Sequence, residues 1–60
     1  MYKKIDVYVN GVYQYSTNKY KTCRDAIKDA RATKHILIAS IPNRYLTIYD
    51  YDTVTARISK

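Results

Sequence analysis

The chain has no tryptophan, no phenylalanine and no glutamate, and it has one cysteine, one histidine, one glycine and one proline in 60 residues. Each shortage closes off a class of protein. A lone Cys23 cannot close an intrachain disulfide. With His35 as the only histidine, no cysteine or histidine pair stands at zinc-finger spacing. There is no P-loop, no HExxH and no GxSxG. No run approaches the roughly 20 apolar residues that cross a bilayer. The start, Met1-Tyr2-Lys3-Lys4-Ile5-Asp6, lacks the apolar stretch of a secretory leader. No asparagine stands in an N-x-Ser/Thr sequon. The expected location is therefore the cytoplasm, and neither a cofactor, a metal nor a small-molecule substrate is expected.

The length bounds the rest. Beginning at Met1, the chain reads as a complete small frame forming one domain over residues 1–60. A domain of this size buries only about 60% of the surface its unfolded chain exposes. Its core supplies no more than about 3–5 kcal/mol. Without a disulfide or metal, either the local structure is unusually consistent or the chain self-associates.

What is present is basic and rich in tyrosine. Eleven Lys and Arg residues face five acids, all aspartate, for a net charge of +6, and there are eight tyrosines. Such a balance favours acidic partners: nucleic acid, an anionic membrane or an acidic protein surface. The abundance of Lys, Tyr, Ile, Asn and Asp suggests an AT-rich genome. Small basic frames of this kind are common in bacteriophages and mobile elements, which by association places the protein in a bacterial host cytoplasm.

The glycine and the proline act as punctuation. Asn10-Gly11 separates two alternating runs, the strongest short hairpin signal. It predicts strands at Tyr2–Val9 and Val12–Ser16. A two-residue turn pairs Val9 with Val12, Tyr8 with Tyr13, Val7 with Gln14 and Asp6 with Tyr15. One face then carries Ile5, Val7, Val9 and Val12, and the other Lys4, Asp6, Tyr8, Tyr13 and Tyr15. After a polar loop, Thr22 caps a helix over Cys23–Thr33, with Asp25 near its start and Arg31 near its end. Cys23, Ala26, Ile27 and Ala30 form a narrow apolar stripe. His35–Ile41 is nearly continuous in apolar, β-branched residues and predicts a central strand. Pro42-Asn43 turns the chain into an alternating run, Arg44–Tyr51. Thr53–Ser59 reads as an edge strand after a turn at Asp50–Thr53, or else as a short helix capped by Asp52.

The expected fold is α+β: a two-layer ββαββ arrangement with a fifth edge strand as an option. One helix packs on one face of an antiparallel sheet of order 2-1-3-4. Ile5, Val7, Val9, Val12, Ile36, Ile38, Leu46 and Ile48 would meet the helix stripe.

Two features carry a binding function. By parity, Tyr8, Tyr13, Tyr15, Tyr45, Tyr49 and Tyr51 lie on the sheet face away from the helix. Tyrosine suits an open face because its ring packs while its hydroxyl stays wet, and aromatics on open sheets stack single-stranded bases. The bland alternative is cross-strand packing by a residue of high β-propensity. The second feature is the basic segment Lys19, Lys21, Arg24, Lys28, Arg31 and Lys34. On a helical wheel Arg24, Lys28 and Arg31 share one flank and Asp25 and Asp29 the other, which makes a phosphate footprint or simply a solvated face. Asp50-Tyr51-Asp52 pairs two carboxylates but has no glycine-rich loop or histidine to support it, and reads as a turn. Cys23 reads as a small hydrophobe.

The expectation is a non-catalytic protein that binds nucleic acid through the helix flank, the tyrosine face or both. A protein-directed inhibitor or adaptor docking by that face or an edge strand is the alternative, and a structural homodimer is the third reading.

Overall fold

The computed structural model describes residues 3–38 and 43–59. Strands β1 (Ile5–Val9) and β2 (Val12–Thr17) form a hairpin. Asn10 and Gly11 sit at φ 52° and 81°, the left-handed pair that a type I′ turn requires. Helix α1 (Cys23–Thr33) starts where Thr22 accepts a hydrogen bond on its side chain from the Asp25 N–H. It stops at Lys34, whose φ of 65° lets its N–H reach the Ala30 carbonyl. Strands β3 (His35–Leu37), β4 (Tyr45–Thr47) and β5 (Val54–Ile58) complete the described elements.

The sheet is not the one expected. β1 lies between β2 and β5, all antiparallel, and β3 and β4 form a separate two-stranded sheet. The order 2-1-3-4 is thus corrected to 2-1-5, and the optional last strand is the partner of the central one. The apolar run after the helix does not become a central strand. Its strand ends at Leu37, with Ile36 buried and Leu37 exposed, the alternation of a ribbon with one wet face. The expected strand Arg44–Tyr51 shrinks to Tyr45–Thr47. The expected turn at Asp50–Thr53 falls one residue earlier: the Asp52 N–H donates to the Tyr49 carbonyl at 3.0 Å, and the Asp52 carboxylate accepts from the Tyr49 N–H at 2.8 Å. Asp52 therefore closes a turn and caps no helix. Tyr2 and residues 39–42, including Ile41 and Pro42, lie outside the described residues.

The core joins Ile5, Val7, Val9, Ala26, Ala30, Ile36, Ile48 and Val54. The helix lends the two alanines of its stripe, with Cys23 and Ile27 half-buried beside them, and its most extensive contact is with β5. Small side chains on that stripe let the helix axis lie close to the sheet. Two expected core residues are displaced. Val12 is 61% exposed, because it ends the hairpin beyond the helix's reach, and Ile38 stays outside the core cluster. Val54 and Ala56, on the β5 side facing Val9 and Val7, take their place.

Candidate nucleic-acid interface

The hairpin register decides which tyrosines share a face. Val9 pairs with Val12 and Tyr8 with Tyr13, but Val7 pairs with Tyr15 and Asp6 with Ser16. Gln14 is an extra residue, a β-bulge, so every residue after it changes face relative to a regular ladder. Tyr15, expected outside, turns inward and packs half-buried against the core. Burial, then the nearby Asp29 carboxylate, then Tyr20 raise its phenol above the usual value of 10. The Tyr20 hydroxyl is raised as well, chiefly by its hydrogen bond to Asp29. The Asp29 flank of the helix thus faces β2.

The outer face of the three-stranded sheet holds Lys4, Asp6, Tyr8, Tyr13, Ser16, Thr55 and Arg57, each exposed or half-buried. The Tyr8 and Tyr13 rings meet edge to face, 5.8 Å between centroids and 72° between planes. The Arg57 guanidinium lies 4.9 Å from the Tyr8 ring centroid, a cation–π contact. Ser16 donates to Asp6 Oδ1 at 2.6 Å, which spends its single hydroxyl hydrogen, so the Tyr13 hydroxyl donates to Ser16 Oγ at 2.8 Å. This relay holds the Tyr13 ring, which is still 45% exposed. At the margin, Lys4, Ser16, Thr17 and Asn18 line a shallow cavity of about 270 Å³.

The other tyrosines are elsewhere. Tyr45 is exposed on the second sheet. Tyr49 and Tyr51 follow β4 into the turn, where their rings stack at 5.3 Å with planes 7° apart. A continuous six-tyrosine face therefore does not form. It is corrected to one pair on the outer sheet face and one stacked pair on a turn, because the bulge moves Tyr15 and the shortened β4 releases Tyr49 and Tyr51.

The helix, with its basic flank, packs on the far side of the sheet. Arg24 and Lys28 are exposed on the helix, and Lys19 and Lys21 are exposed in the loop before it. Arg31 is committed: its guanidinium donates to the Asp52 carbonyl oxygen. One ligand strand lying flat on the tyrosine pair does not also touch this flank. Arg57, absent from the expected site, is the cation that joins the tyrosines. Its signal was present in β5, where parity puts it opposite Asp6 once β5 is set beside β1.

His35 and Thr47 meet across the second sheet, Nδ1 to Oγ1 at 3.1 Å. Among the described residues no group of three or more His, Cys, Asp or Glu is arranged to hold a metal, and no helix is long and apolar enough to cross a membrane. Compared with protein-family models, curated proteins and solved structures, the chain matches none.

Proposed function

We propose that the protein is a non-catalytic binding module for single-stranded nucleic acid, engaged on the outer sheet face. The observation that carries this reading is the grouping of Tyr8, Tyr13 and Arg57 on a face to which neither the helix nor the second sheet contributes a buried residue. Tyr13, 45% exposed, offers aromatic surface to a base, and base–aromatic stacking is worth about 1–3 kcal/mol per base. Arg57 and Lys4 supply cations for the backbone on either side. The edge-to-face pair is preorganised, so little side-chain entropy is lost on stacking. Asp6 sits in the same face, held by Ser16, and disfavours a phosphate directly above it.

Fluorescence anisotropy with labelled single- and double-stranded oligonucleotides at roughly 50 and 200 mM salt tests this. The expected result is binding that prefers the single strand, weakens steeply with salt, and drops about fivefold to a hundredfold in Tyr13→Ala. No binding at the lower salt, despite a charge of +6, rejects the reading. Preference for duplex with loss in Arg24→Ala rather than Tyr13→Ala moves the site to the helix flank.

A further inference from the structure

The second feature is the free edge of β5. In an antiparallel ladder, main-chain groups point alternately to the partner strand and away from it. Here the Asn10 N–H donates to the Thr53 carbonyl at 2.7 Å, and the Ser59 N–H donates to the Lys4 carbonyl at 2.9 Å. These bonds set the phase: Thr55 and Arg57 turn their main chain toward β1, and Val54, Ala56 and Ile58 turn theirs outward. No described strand pairs with that side.

The two edges of the sheet differ. The β2 edge is broken by the bulge at Gln14, a device that blunts strand pairing. β5 keeps register with β1 from Val54 to Ile58 and contains no proline, no glycine and no bulge. Ile58 is 41% exposed at its end. The edge is thus ready for main-chain addition.

Charge selects the occupant. Asp29 faces Tyr15 and Tyr20 on the β2 side, and Arg31 reaches the carbonyl of Asp52 just before β5. The flank carrying Arg24, Lys28 and Arg31 therefore lies on the β5 side of the helix, and Arg57 projects from β5 on the opposite face. An added strand would run between cations above and below the sheet. We propose that the β5 edge is a strand-addition site for an extended, acidic segment of a partner protein. A second copy is disfavoured: a continuous sheet through two β5 edges would bring two basic helix flanks together, each on a chain of charge +6. A nucleic acid strand has no alternating N–H and C=O ladder to complement the edge.

The test uses the full chain and a capped, fluorescent peptide of alternating glutamate and valine, about ten residues long, beside its lysine–valine counterpart. The acidic peptide should bind at least about tenfold tighter than the basic one and lose about tenfold with the double substitution Arg24→Glu, Lys28→Glu. Amide hydrogen exchange at Ala56 and Ile58 should be fast in the free protein and slow in the complex, with Thr55 and Arg57 slow in both. Ala56→Pro should abolish binding while leaving the β1 ladder intact, since its N–H points outward. Were that variant unfolded, the exchange pattern of the unsubstituted chain decides. Equal binding of both peptides, or no added protection at Ala56 and Ile58, overturns the proposal. So does protection of those amides by a single-stranded oligonucleotide, or in the free protein through dimerisation. None of these outcomes bears on Tyr13, so the outer-face reading stands or falls separately.

Discussion

Asn10 and Asp52 hold the hairpin tip against the turn before β5. The Asn10 side-chain amide donates to Asp52 Oδ1 at 3.0 Å, and its carbonyl oxygen accepts from the Thr53 N–H at 2.9 Å. One side chain thus contacts both residues that lead into the last strand. Asn10 also needs its left-handed backbone, which glycine adopts freely. Asn10→Gly separates the two roles by keeping the turn and deleting the latch. Thermal unfolding should show a midpoint lowered by roughly 4–8 °C. A midpoint unchanged would mean that the latch adds nothing beyond the turn.

Acid should open the same junction. The Tyr49 N–H first, then the Asn10 amide, and with them the Arg31 charge, hold the Asp52 carboxyl below its usual value of 3.8. A carboxylate depressed in the folded state stabilises the fold above its unfolded pKa, and that stabilisation fades as pH falls through the folded value. Carbon-detected NMR titration should place Asp52 below its ordinary value of 3.8. Asp52→Asn should flatten the part of the acid dependence between the ordinary carboxylate pKa and the lower folded one.

The bulge gives an unusual expectation for a deletion. Removing Gln14 brings Tyr15 into the place opposite Val7 that it already occupies, and Ser16 and Thr17 keep their partners. The deletion should therefore fold, with cross-strand NOEs between Val7 and Tyr15 retained. Removing Tyr15 instead should cost far more, because it takes away a ring packed on the core. Unfolding of the Gln14 deletion would show that the bulge's twist, and not only its register, is required.

Lys34 ends the helix in a conformation that lysine resists. At φ 65° its β-carbon crowds the backbone, which costs about 1 kcal/mol relative to glycine. Lys34→Gly should raise stability by about that amount in urea unfolding, although it removes a side chain and a charge. The N–H to Ala30 and the carbonyl that accepts from the Ile48 N–H at 2.7 Å are both backbone groups and survive the change.

The parts legible from the chain alone were local. The Asn10-Gly11 turn, the Thr22 cap and the helix Cys23–Thr33 follow from chemistry within a few residues, and the structure has each where the pattern puts it. Partner choice among strands is not local. His35–Ile41 is the most apolar run and its composition points to the central position, yet the short run ending in Ala56, Arg57 and Ile58 occupies the place beside β1. Its inward residues Val54 and Ala56 suit a strand under the close-packed Ala26 and Ala30 stripe, a fit visible only in three dimensions. The bulge did leave a local trace: in a regular ladder the polar Gln14 falls opposite Val7 on the apolar face, and inserting it as an extra residue puts the Tyr15 ring there instead. For the site, the helix flank was readable from its spacing. The tyrosine grouping depended on register and was recovered only for Tyr8 and Tyr13.

Because β1 pairs with β5, the strand pairs that complete the sheet join residues 45 positions apart at Val9 and Val54 and 53 apart at Ile5 and Ile58. Pairing at such separation requires a large loop to close before any contact rewards it, which slows folding. During synthesis the β1–β2 hairpin is made first and carries Ile5, Val7 and Val9 on one face with nothing yet to cover them. The nascent chain therefore passes through a sticky interval that ends only when Val54–Ile58 is threaded alongside β1.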